Sequence, residues 1–190
     1  FNPKNIDSQK LAHMKAKWVI TDSDWVIGYS GRLVRDKGII ELVRAFRDVK
    51  KANAHYKLLL VGMFEVRDAL PDDVQQDIKN DTQIVWTDFQ NSDMEYFYSM
   101  MNVYVLASYR EGFPTGVLEA QSMQVPVITT RATGCCDSIL EGETGLFVEH
   151  DVAQLADAIR SIHDARSSVD GQKAREWVRK NFENHIVWNE

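Results

Sequence analysis

Cysteine is nearly absent from this 190-residue chain: only Cys135 and Cys136 occur, side by side. Adjacent cysteines rarely bridge, so a disulfide scaffold is excluded and a reducing compartment is expected. Both are read as small hydrophobes near a helix start. Basic charge is also scarce. Lys and Arg total 22 against 28 Asp and Glu, a net charge of −6, with a pI near 5.4. That balance argues against a nucleic-acid footprint. It leaves room for a phosphate pocket, which needs only a few local cations. No apolar run approaches the ~20 residues that cross a bilayer. His13, His55, His150, His163 and His185 lack metal-ligand spacing, so no metal is expected.

Two catalytic signatures are missing as well. There is no Gly-x-Ser-x-Gly elbow. A dinucleotide fingerprint needs G-x-G-x-x-G after the first strand, whereas the glycines here are Gly28, Gly31 and Gly38, which have the wrong spacing. Asp22-Ser23-Asp24 has the D-x-D form used by some metal-dependent sugar transferases. It precedes the first strand, at the wrong end of a sheet for a ligand, so a turn with capping carboxylates is the better reading.

What is present is ordinary globular composition, 44% hydrophobic and 26% charged, in a length that suits one domain with a real core. Strand-like runs are Trp25 to Ser30, Lys57 to Val61, Gln83 to Trp86, Val103 to Ala107, Pro126 to Thr129 and Leu146 to Val148. Helical stretches separate them. Asp7 or Ser8 caps the first, before Leu11 and Met14. Asp36 is read as the N-cap of the next, on Ile39, Leu42, Val43, Phe46 and Val49. Pro71-Asp72-Asp73 opens a polar helix. Met94, Phe97, Tyr98 and Met101 form a stripe that core packing explains. A short helical turn is expected between Thr133 and Leu140. Asp151 and Gln154 resemble a capping box, and the last helix carries Ala174, Trp177 and Val178. The tail from His185 to Glu190 is apolar at Ile186, Val187 and Trp188. This alternation predicts an α/β, Rossmann-like doubly wound parallel sheet, with ligands at the C-terminal strand edge.

The richest stretch is Ser108 to Ala120. A strand runs into it and a helix leaves from Pro114 or Thr115. Glu111 then lies in the loop and Glu119 early in the helix, its Cα–Cβ bond tilted back toward the helix start. The two carboxylates are expected to flank one pocket, with free helix N–H groups between them. Such a helix tip favours phosphate, and carboxylates suit hydroxyls. Arg32 and Lys37 share the loop after the first strand and are placed to reach the same anion. Taken alone, two solvated cations would be the plainer account of them.

Gly31-Arg32-Leu33…Lys37-Gly38, the Glu111…Glu119 pair, Pro126-Val127-Ile128 and Gly142-Glu143-Thr144-Gly145-Leu146 fall in the order and spacing of glycosyltransferase family 4, the group 1 glycosyltransferases. The chain resembles the C-terminal, donor-binding half of these retaining, metal-independent GT-B enzymes over nearly its whole length. The resemblance implies one donor-binding domain over 1–190, with the acceptor-binding half absent. The chain opens at Phe1 rather than Met and is read as an excised part, Phe1-Asn2-Pro3 being the linker after that first half. The tail around Trp188 packs either on that half or in the core.

By position, the resemblance implies that Arg32 and Lys37 hold the donor's diphosphate, Glu111 the donor sugar and Glu119 the ribose. Backbone N–H groups at Thr115 and Gly116 meet phosphate or sugar. Gly31, Phe113 and Thr87 line the substrate, with the base near Gly62 to Phe64 and Thr87-Asp88. The implied substrate is a nucleotide-diphosphate sugar, UDP-linked, of hexosyl or N-acetylhexosaminyl type, with no cofactor. The implied acceptor is a glycan or lipid-linked sugar in bacterial polysaccharide or glycolipid synthesis. The full-length enzyme would be cytoplasmic, at the inner membrane face through peripheral association, and the fragment alone inactive. A nucleotide-sugar epimerase and a non-catalytic binding module are the rival readings.

Two positions depart from the family pattern. Pro114 replaces a residue with an N–H, removing one donor to the sugar. Gln124 stands where many relatives have glycine, which costs up to about 1 kcal/mol if the backbone is left-handed there.

Overall fold

The computed structural model describes residues 1–182. The tail from His185 to Glu190, Trp188 included, lies outside them. Six strands, β1 (Trp25–Ser30), β2 (Tyr56–Val61), β3 (Ile84–Trp86), β4 (Val103–Leu106), β5 (Val127–Thr130) and β6 (Gly145–Val148), form one sheet in the order β3-β2-β1-β4-β5-β6. Every pairing is parallel. The strands are short and almost wholly buried, as strands covered on both faces must be.

Among the described residues seven α-helices supply that cover: α1 (Ser8–Lys17), α2 (Ile39–Val49), α3 (Asp72–Asn80), α4 (Met94–Ser99), α5 (Thr115–Ser122), α6 (Val152–His163) and α7 (Gly171–Phe182). One layer joins α2 to α3 and α6; the other joins α4, α5, α7 and α1. Ile39, Leu42, Val43, Phe46 and Val49 of α2 are all buried, so the apolar stripe is the buried face. The strand order reverses direction between β1 and β4. A crevice outside the carboxyl ends of those two strands is where doubly wound sheets bind ligands.

Several local expectations are corrected. Asp36 does not cap α2. It lies in a 3-10 turn, Arg35–Lys37, and the helix starts from Gly38 at φ 68°. A Cβ at Gly38 would stand 2.0 Å from the Ala107 carbonyl oxygen, so only glycine fits this close approach of the β1 loop to the end of β4. No helix forms between Thr133 and Leu140; the segment is a run of turns. Cys135 is buried there, but Cys136 is exposed. The capping box at α6 is half formed: Asp151 accepts the Gln154 N–H at 2.8 Å, while the Gln154 side chain takes the Glu149 N–H at 3.2 Å. Met101 falls just past the end of α4 but stays in the core.

Other readings hold. Asp7 caps α1 through the Lys10 N–H at 2.7 Å. Asp22-Ser23-Asp24 is a turn in which Asp24 accepts the Thr21 N–H at 2.6 Å. Gln124 adopts φ 65°.

Candidate functional site

Three loops meet outside the carboxyl ends of β1, β2 and β4. The loop after β1 is fixed from below: the Tyr29 hydroxyl donates to the Arg32 carbonyl at 2.8 Å. The loop after β4 is tied to it, because the Tyr109 N–H and the Ser108 hydroxyl both donate to the Asp36 carbonyl, at 2.9 and 3.0 Å. These hydrogen bonds hold the two loops at a fixed separation.

A hollow of about 460 Å³ opens between them and α5. Gly31, Arg32, Thr115, Gly116 and Glu119 line it, together with Gly62, Met63, Phe89 and Gln90 from the loops after β2 and β3. The loop cation, the helix tip and the helix acid of the sequence reading are thus in one place. Of the first two helical amides, that of Thr115 is bonded to the Phe113 carbonyl at 3.0 Å. The Gly116 N–H has no backbone acceptor among the described residues, and an unpaired amide at a helix start attracts an anion.

Lys37 and Glu111 are arranged differently from the expectation. They form an ion pair at 2.7 Å with side chains only 16% and 11% exposed, and neither lines the hollow that holds Glu119. The two acids do not flank a single pocket as it stands. Glu111 is held in place through its N–H, which donates to the Thr133 carbonyl at 3.0 Å. Arg32 instead pairs with Glu65, which lines the same hollow, at 3.1 Å, and remains largely exposed. Phe113 is exposed and meets Phe182 with ring centroids 6.0 Å apart. Thr87 is buried; its hydroxyl donates to the Asp88 carbonyl at 3.1 Å and it does not line the hollow. Phe64 likewise turns away, toward the Trp86 ring at 4.7 Å.

One member of the site is absent from the sequence reading. Tyr98, read as core, is fully buried, yet its hydroxyl donates to the Glu119 carboxylate at 2.7 Å. The same hydroxyl lies 2.8 Å from Ser30 Oγ. Since its proton is committed to Glu119, Ser30 is the donor there. Burial raises the Glu119 pKa above the usual carboxylate range, and the Tyr98 hydrogen bond pulls it partly back. Burial likewise pushes the Tyr98 phenol well up, so it stays a donor at any ordinary pH. The signal in the sequence was a tyrosine, rather than a second phenylalanine, beside Phe97: a buried phenol needs a partner.

The doubly wound sheet carries a hollow at its switch point, with an arginine on one wall and a helix tip on the other. The family of group 1 glycosyl transferases matches residues 12–183, and the chain belongs to that family. It is 34% identical to the capsular polysaccharide biosynthesis glycosyltransferase CapM of Staphylococcus aureus, over 100% of this chain and 50% of that protein. It is 25% identical to the solved C-terminal domain of LpcC, a group 1 glycosyltransferase of Francisella tularensis, covering 97% of this chain and 96% of that one at a TM-score of 0.79. Anabaena HepE in complex with UDP-glucose shares the fold at a TM-score of 0.82 and 17% identity, over 98% of this chain and 53% of HepE. The chain spans half or less of the length of the curated relatives it matches. The fold is the C-terminal half of GT-B enzymes.

Proposed function

We propose that this chain is the donor-binding half of a retaining glycosyltransferase that takes its sugar from a UDP-linked donor. The observation that carries the reading is the sharing of one hollow by Arg32, Gly116 and Glu119 at the β1/β4 switch point. The Glu119 carboxylate receives the ribose hydroxyls, with Tyr98 holding it in place. Arg32 and the Gly116 N–H take the diphosphate, and Phe89 and Met63 wall the base. Gly31 permits close approach and Thr115 lines the same wall as Gly116. Lys37 and Glu111 serve the far side of the diphosphate and the sugar, beside Phe113. Departure of the nucleoside diphosphate leaves negative charge on its oxygens, and the cations stabilise that charge. Fixing the sugar between loop and helix supplies the positioning part of the rate. The reading requires no metal, since the protein's own cations do that work.

A second half, outside this chain, would hold the acceptor, a glycan or lipid-linked sugar. Polysaccharide synthesis at the inner face of the cell membrane is the setting we assign to it. The named role of CapM and the UDP-glucose bound to HepE support these choices. No helix among the described residues is long and apolar enough to cross a membrane.

Calorimetric titration of the chain with UDP, without divalent metal, tests the donor site. Wild type binds, and Arg32→Ala weakens binding about tenfold to a hundredfold, as loss of a charge-assisted contact worth ~1.5–3 kcal/mol requires. Equal affinity in the variant removes Arg32 from the diphosphate. Product analysis of the full-length protein separates sugar transfer from epimerisation.

A further inference from the structure

A second hollow, of about 710 Å³, lies on the other side of the β1 loop. Its walls carry Arg32, Arg35, Arg67 and Arg110 against Asp36, Glu41 and Asp68. Most of the acids are already occupied. Asp68 accepts the Asp36 amide N–H at 2.7 Å, and Asp36 lies 3.8 Å from the Arg110 guanidinium. Two of the arginines, Arg35 and Arg67, still have donors to spare. Arg35 commits only its Nε, to the Ala69 carbonyl at 2.6 Å. Arg67 has no hydrogen bond or ion pair among the described residues. The two are neighbours in space, because the Arg35 N–H bonds the Asp68 carbonyl at 3.1 Å.

Glu41 poses the opposite demand. One of its oxygens accepts the Tyr109 hydroxyl at 2.8 Å. The other is buried with no hydrogen-bond partner, and an unsatisfied buried acceptor calls for a donor. A bare anion would satisfy the arginines and repel Glu41. A neutral sugar would satisfy Glu41 and leave the arginines empty. A sugar that bears a carboxylate or a phosphate answers both, its anion on Arg35 and Arg67 and a hydroxyl on Glu41. The Tyr109 ring, about half exposed and stacked on His150 at 3.9 Å, offers a flat wall to a sugar face.

We propose that this groove is a binding site for an acidic sugar unit of the acceptor. Arg32 lines both hollows, so a unit bound here lies beside the departing diphosphate. Its role as an acceptor subsite rests on the donor reading above; binding in the groove does not.

The test is a titration of the isotope-labelled chain, followed by backbone amide NMR, with glucuronic acid, glucose 6-phosphate, glucose and inorganic phosphate. UDP is titrated in parallel. Either acidic sugar is expected to move the amides of Arg67, Tyr109 and Glu41 and to bind at least tenfold more tightly than glucose or phosphate. Which of the two binds identifies the anion. Arg67→Ala, at an exposed position, should weaken the acidic sugar about tenfold while UDP affinity stays unchanged. Failure of both acidic sugars at millimolar concentration, phosphate binding as tightly as they do, or no effect of Arg67→Ala overturns the proposal. Failure of UDP alone overturns the donor reading instead.

Discussion

Glu119→Gln separates what this residue does for folding from what it does for the ligand. The carboxylate is half-buried, and burial raises its pKa above the unfolded value. The native state therefore holds the proton more tightly than the unfolded chain. The stability this contributes is full below the unfolded pKa and is lost as pH rises through the raised native value. At neutral pH the ionised side chain is a net cost to the empty domain. Glutamine keeps an oxygen for the Tyr98 hydroxyl, now 2.7 Å away, and carries no charge. The melting temperature at pH 7 should stay level or rise, and its advantage over wild type should disappear toward pH 4. UDP affinity should move the other way. Replacing charge-assisted hydrogen bonds from ribose hydroxyls by neutral ones removes about 1–2 kcal/mol, roughly five- to thirtyfold in Kd. Calorimetry with UDP and thermal melts across pH measure both quantities on one sample. A variant that melts lower than wild type at pH 7, or binds UDP equally well, refutes the reasoning.

The Lys37–Glu111 pair is nearly buried, so Lys37→Ala should lower stability by about 3 kcal/mol by stranding a buried carboxylate; urea melts should show partial recovery in Lys37→Ala with Glu111→Ala. At Gly116 an added Cβ would stand 2.4 Å from the Tyr104 hydroxyl and 3.3 Å from Ser30 Oγ. Gly116→Ala should therefore displace the tip of α5, at a cost of about 1–3 kcal/mol, and weaken UDP more than it weakens the fold.

The layered architecture was open to reading because fully covered strands leave plain marks: Val26 to Tyr29, Leu58 to Val61 and Val103 to Leu106 are apolar runs of strand length, with the stripe of α2 between the first two. Arg32, Gly116 and Glu119 were legible because they lie within a few residues of strand and helix ends, where the topology itself aims them. What escaped was set by contacts between distant segments. Gly38 caps α2 because the Ala107 carbonyl stands against it, and local preference pointed to Asp36 instead. The union of Lys37 with Glu111 joins residues 74 apart in sequence, and nothing near either one announces it. Tyr98 was hidden by its own ring, which packs as core while its hydroxyl serves Glu119.

The central claim is that one crevice gathers an arginine, a helix tip and an acid around the diphosphate and ribose of a nucleotide. A crystal structure of the chain soaked with UDP tests it directly. The account predicts the ribose hydroxyls on the Glu119 carboxylate and phosphate oxygens within hydrogen-bond reach of the Arg32 guanidinium and the Gly116 N–H. UDP bound elsewhere, or bound here with its ribose turned away from Glu119, would contradict it.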